Sequence, residues 1–109
     1  MANVVYSPES QRDLELIGDY ISEQLKSPQA ALNTVTLIQD KIDKLEDFPQ
    51  LGTPLTITGY DNNDYRFLVC LNYLAFYRID GNNVYIDRIL YGKRDYVSIL
   101  FGKLLNDDF

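Results

Sequence analysis

Over the first fifty residues apolar side chains recur at steps of three and four, and beyond residue 64 the step shortens to two. Residues 3–6, Asn-Val-Val-Tyr, form a short β-prone run closed by Ser7-Pro8, where Ser caps a helix and Pro suits its first position. Leu14, Ile17, Ile21 and Leu25 then share a face with Tyr20 beside them, while Asp13, Glu15, Asp19 and Glu23 lie largely elsewhere. That spacing predicts an amphipathic helix of about 18 residues. Ser27-Pro28 repeats the start signal, so a second helix follows with almost no loop, making a helical hairpin. Ala31, Val35, Ile38, Ile42 and Leu45 continue the pattern until Pro49 and Gly52 end it after Phe48.

From 52 to 64 Thr, Gly, Asn and Asp dominate around Pro54, the composition of an irregular surface connection. Three runs follow, 65–71, 73–80 and 84–91, dense in aromatic and branched residues, with turn signals at Asn72 and at Asp80-Gly81-Asn82-Asn83. They predict three strands of an antiparallel meander. Alternation sets Phe67, Val69 and Leu71 against Arg66, Leu68 and Cys70, and Tyr73, Ala75, Tyr77 and Ile79 against Leu74, Phe76 and Arg78. Both faces of the sheet are therefore largely apolar, whereas an antiparallel sheet with one solvated face carries polar residues there. The hairpin covers one face, which leaves the other for the C-terminal segment or for a bound partner. Residues 94–105, with Val97, Leu100, Phe101 and Leu104 on one side, suit a short helix, and 106–109 are expected to fray. The predicted fold class is α+β: an N-terminal strand, a two-helix hairpin on a three- to four-stranded antiparallel sheet, and a short C-terminal helix, in one domain spanning 1–109.

Composition narrows the chemistry. A 109-residue chain that is 46% hydrophobic and 24% charged buries a core without metals or disulfides. The one cysteine, Cys70, sits in an apolar run and reads as a small buried thiol. There is no histidine, which removes the commonest general base and zinc ligand and leaves Cys70 without an activating partner. No metal or cofactor is expected. The N-terminus lacks a signal-peptide pattern and no stretch has the length of a membrane span, so the expected location is the cytoplasm, with no membrane partner.

Net charge is −6, which argues against a generic nucleic-acid surface. The charge is unevenly spread. Residues 1–50 hold four cations against nine acids, a net of −5, whereas 65–104 hold Arg66, Arg78, Arg88, Lys93, Arg94 and Lys103 against Asp80, Asp87 and Asp95, a net of +3. A local basic face can exist on this acidic chain.

Four pieces of sequence carry a resemblance: Tyr6-Ser7-Pro8-Glu9 with Asp13-Leu14 and Asp19-Tyr20-Ile21; Leu45 with Phe48-Pro49 and Gly52; Tyr65-Arg66 through Tyr77-Arg78-Ile79; and residues 88–96, Arg-Ile-Leu-Tyr-Gly-Lys-Arg-Asp-Tyr. In this order and spacing the chain resembles the RelE/ParE superfamily of toxins from bacterial toxin–antitoxin pairs. RelE-like members are ribonucleases that cut messenger RNA in the ribosomal A site, and ParE-like members are associated with inhibition of DNA gyrase. The Ser-Pro-capped hairpin, the Tyr-Gly-Lys-Arg-Asp-Tyr segment and the acidity are more similar to ParE. On the RelE side Arg94 matches an arginine at the end of the last strand, but the catalytic tyrosine of that branch lies several residues beyond the position of Tyr96. The resemblance further implies a cognate antitoxin whose DNA-binding part meets promoter DNA and whose tail, disordered alone, orders over the toxin. The tail is expected on the second sheet face and the basic patch, at Leu68, Leu74, Phe76 and Tyr91.

RNA cleavage through the 2′-hydroxyl needs a base, an acid and cations for the phosphate. Lys93, Tyr91 and Tyr96 are the candidates for proton transfer, and Arg66, Arg78, Arg88 and Arg94 for holding phosphate. For a non-catalytic, gyrase-binding toxin, Arg66, Arg78, Arg88, Lys93, Arg94 and Tyr96 are the candidate target contacts. The plainer alternative pairs the arginines with Asp80, Asp87 or Asp95 and leaves most of the nine tyrosines as core and rim. A bulge near Asp87 would reverse the facing of Arg88. A third reading is a module without toxicity that only binds the antitoxin.

Overall fold

The computed structural model describes residues 1–57, 59 and 64–102. Strand β1, Asn3–Tyr6, runs into helix α1, Pro8–Leu25. At their junction the Ser7 hydroxyl accepts from the Ser10 amide at 2.9 Å, and Pro8 takes the first helical turn, where its missing N–H is no loss. Lys26, in the left-handed region at φ 51°, reverses the chain. Ser27 then caps helix α2, Pro28–Asp43, by accepting from the Ala30 amide at 3.1 Å. The hairpin read from the two Ser-Pro pairs is thus built as expected.

The second helix is shorter than its apolar period suggested. The α-helix stops at Asp43 and tightens into a 3-10 turn at Lys44–Glu46, where the amides of Asp47 and Phe48 share the Lys44 carbonyl. The tighter turn still keeps Leu45 fully buried.

Five strands form one sheet in the order β1-β5-β4-β3-β2, with β2 at Thr53–Pro54, β3 at Arg66–Cys70, β4 at Tyr73–Asp80 and β5 at Asn83–Tyr91. Two features differ from the expected meander. The connection after Gly52 contributes the two-residue edge strand β2, pairing Thr53 with Phe67 and Pro54 with Arg66; the rest of that connection, residues 58 and 60–63, lies outside the described residues. The N-terminal strand pairs parallel with β5, Asn3 beside Asn83 and Tyr6 beside Ile86. The helical hairpin is the crossover that a parallel pair requires.

The hairpin covers one face of the sheet, burying Leu14, Ile17, Ile38 and Ile42 against Cys70, Ala75, Tyr77, Val84, Ile86 and Ile89. The opposite face is taken by the C-terminal helix α3, Tyr96–Phe101. Its Tyr96, Ile99, Leu100 and Phe101 pack on Phe76, Leu90 and Leu55, with Tyr96 against Phe76 at 5.1 Å between ring centroids. Of the two expected occupants of that face, the C-terminal segment packs on it. The expected helix 94–105 is described only to Phe101, and 103–109, with Leu104, lie outside the described residues.

One corner ties the connection to the sheet. The Tyr77 hydroxyl, fully buried, accepts from the Gly52 amide and donates to the Pro49 carbonyl, both at 2.8 Å. A Cβ on Gly52 would stand 2.6 Å from that hydroxyl and 2.7 Å from the Phe67 carbonyl oxygen, so this position requires glycine. No helix among the described residues is long and apolar enough to cross a membrane.

Candidate functional site

β1 ends at Tyr6 beside Ile86, but β5 continues to Tyr91. On the side away from β4 the last part of β5 therefore has no neighbouring strand among the described residues, and α1 runs past it instead. Register breaks here: Phe76 faces Arg88 while Tyr77 faces Ile86, leaving Asp87 as an extra residue, a β-bulge. The bulge near Asp87 considered from the sequence is present. It sets Ile86 and Ile89 both into the hairpin-side core.

Asp13 fills the place of the missing strand. Its carboxylate, nearly buried, accepts from the Ile89 amide at 2.9 Å and from Arg88 Nε and an Arg88 terminal nitrogen at 2.8 and 2.9 Å. A forked ion pair thus satisfies a backbone donor that a strand partner would otherwise take. Ser7 joins the same lock, its hydroxyl donating to the Asp87 carbonyl at 2.8 Å. The bond to Asp13 holds the Arg88 guanidinium above its ordinary pKa.

Beyond this lock the edge of β5 and α1 diverge around a groove of about 650 Å³. Leu16, Ile17 and Tyr20 of α1 line one wall; Asn72, Tyr73, Ile89, Leu90, Tyr91 and Arg94 line the other. Tyr73 and Tyr91 meet edge to face at 5.8 Å, a favoured aromatic arrangement. Tyr20, Tyr73 and Tyr91 all line the groove, and burial, then the neighbouring Tyr20 and Tyr91, raise the pKa of the Tyr73 hydroxyl. Leu16 is 55% exposed, Tyr20 62% and Tyr91 41%, a cluster of large apolar surface beside a cation.

The sequence candidates do not converge on one site. Arg66, on the hairpin side beside Tyr77, donates to the Gly52 carbonyl at 2.8 Å and the Gln50 carbonyl at 3.4 Å. Arg78 pairs with Asp87 at 2.6 Å, the plainer alternative considered for it, and lies 6.0 Å from the Tyr85 ring centroid. Arg88 pairs with Asp13, 75 positions away, rather than with one of the nearby acids. Tyr96 is packed under α3 on Phe76. Tyr73 opposes Tyr91, and Arg78 lies five residues along β4 from it, so the two ends of the basic stretch stand about 17 Å apart. Lys93 and Arg94, in the turn after β5, make no side-chain ion pair among the described residues, and Arg94 opens onto the groove with Tyr91.

The four residues expected under the antitoxin tail are also separated. Phe76 is fully buried and Leu74 packs in the same layer beneath α3. Leu68 belongs to the opposite, hairpin-side face, because β3 and β4 pair Leu68 with Ala75 and Phe67 with Phe76. Only Tyr91 is on open surface. What the sequence reading passed over was Asp13 as a lock and the Leu16, Tyr20 and Tyr73 wall. A signal existed, since Asp13 sits four residues before Ile17 and so on the apolar face of α1, an unusual place for a carboxylate.

No group of three or more His, Cys, Asp or Glu side chains able to hold a metal occurs among the described residues. No curated protein sequence matches the chain. Among solved structures the chain is similar to one titled as the chromosomal ParDE TA system from P. aeruginosa, with a TM-score of 0.72 and 23% identity, covering 84% of this chain and 96% of that one. At that identity the likeness concerns the fold. The family model described as the ParE toxin of the type II toxin-antitoxin system parDE matches residues 4–96, a span that includes the Ser-Pro hairpin, the Gly52 corner, the Asp13 lock and the tyrosine groove. The chain belongs to the ParE toxin family of type II toxin–antitoxin systems.

Proposed function

We propose that this ParE family member is a cytoplasmic toxin that arrests growth by binding DNA gyrase without catalysis of its own, and that a cognate antitoxin neutralises it. The observation that carries the non-catalytic reading is the internal use of Arg66, Arg78 and Arg88, each satisfied by a carbonyl or carboxylate of its own chain. A ribonuclease would need several cations free on one phosphate, together with a base and an acid. Here Lys93 and Arg94 stand apart from the other arginines, and the chain has no histidine. Binding by surface complementarity needs only an exposed aromatic and cationic patch, which the groove at the end of β5 supplies. The net charge of −6 supports promoter contact through the antitoxin alone.

The test is a pair of purified assays, gyrase supercoiling and ribosome-dependent mRNA cleavage, with wild type and Arg94→Ala. Inhibited supercoiling that Arg94→Ala relieves, with messages intact, is the expected result. Cleavage at the A site would instead establish the nuclease, and inactivity in both would leave a module that only binds the antitoxin.

A further inference from the structure

The alternation of an antiparallel ladder fixes which way each backbone group of β5 faces. The Ile89 amide is bonded to Asp13 and so faces away from β4, and the Gly92 amide is bonded to the Asn72 carbonyl and so faces toward it. It follows that the Ile89 carbonyl and the Tyr91 amide both face the open edge, inside the groove. The Ile89 amide and the Tyr91 carbonyl are already used, by Asp13 and by the Arg94 amide. What remains is one acceptor and one donor on residues i−1 and i+1 around Leu90. A single residue of an incoming parallel strand satisfies such a pair, as β1 does farther down the same edge. An antiparallel strand would set one residue opposite Ile89 and another opposite Tyr91 and leave one group of each unmatched, because the Ile89 amide and the Tyr91 carbonyl are taken.

Charge and shape select the segment. Asp13 is neutralised by Arg88, so among the described residues the uncompensated charge lining the groove is that of Arg94, with Lys93 beside it in sequence. On a chain whose first fifty residues are acidic, this is the place that attracts an acidic peptide. The tyrosine-lined volume accepts an apolar side chain next to that carboxylate. We propose that the edge of β5 between Ile89 and Tyr91 receives an extended, acidic and apolar segment of the antitoxin as a parallel strand, with Tyr20, Tyr73 and Tyr91 around its apolar side chain and Arg94 on its carboxylate. The inference rests on the antitoxin reading above and adds a place, a strand direction and a chemistry to it.

Amide exchange of the ¹⁵N-labelled full chain, free and with full-length cognate antitoxin, tests the edge directly. The Tyr91 amide is expected to slow by about 100-fold or more in the complex. In parallel, the exposed substitution Arg94→Glu is expected to weaken the complex by about 10-fold or more while Arg94→Lys holds it near wild type. A complex that forms with the Tyr91 amide exchanging as before, or that binds Arg94→Glu as well as wild type, overturns the groove assignment and leaves the antitoxin reading standing. Failure of any complex to form overturns both.

Discussion

Asp13 shows how one carboxylate replaces a strand. It joins α1 to the far end of the sheet through three bonds, two of them to Arg88 and one to the Ile89 amide. Because the pair is mostly buried, removing the charge leaves Arg88 uncompensated in a site already desolvated. Asp13→Asn keeps an acceptor for Ile89 and loses the ion pair, and should cost about 2 kcal/mol in urea unfolding. Tyr77→Phe should cost a similar amount, about 1–3 kcal/mol, because it strands the Gly52 amide and the Pro49 carbonyl at once. Gly52→Ala should be worse tolerated, since the added methyl meets two fixed oxygens. Cys70 gives a residue-level pH dependence. Burial pushes its thiol from 9.0 up to about 11, so the folded state holds the proton more tightly than the unfolded one. Its contribution is complete below pH 9.0 and is lost as pH rises toward about 11, amounting to ~2–3 kcal/mol. Cys70→Ala should flatten the stability profile in that window, measured as the slope of unfolding free energy against pH.

At the scale of elements, the two Ser-Pro caps are not equivalent. Ser27 caps α2 only, whereas Ser7 caps α1 and also bonds the Asp87 carbonyl at the bulge. Ser27→Ala should lower stability by about 1 kcal/mol and Ser7→Ala by about 2 kcal/mol, read from thermal unfolding of the two variants side by side. These caps were legible in the sequence because a cap is local: a hydroxyl, a proline and an apolar period within one turn. Strands β3 to β5 were legible for the same reason. Strand β2 was not, since two residues containing Pro54 carry no period. Nor was the parallel docking of β1, because pairing across the sheet leaves no trace in the four residues concerned. The site suffered most from this limit. Arg66, Arg78, Arg88, Lys93 and Arg94 were found as residue types, but Arg66, Arg78 and Arg88 are spent on partners 9 to 75 positions away. Leu68 and Phe76 read as neighbours on one face only until the β3–β4 register separates them.

Over the whole molecule, the sheet sets side by side the two strands that are made farthest apart in time. β1 is the first strand synthesised and β5 the last, and their pairing closes a separation of 80 residues, Asn3 to Asn83. Before β5 exists, β1 has no partner and the bond from Ser7 to Asp87 cannot form. At roughly 5–20 residues per second of synthesis, the hairpin waits through the making of residues 47–82 before the strand that joins β1 begins. A chain ending at residue 82 should accordingly remain protease-sensitive and lack a cooperative unfolding transition. In a member of a toxin family that order of assembly has a consequence of its own: interrupted translation yields fragments without a finished edge or groove, so only completed copies present the binding surface proposed above.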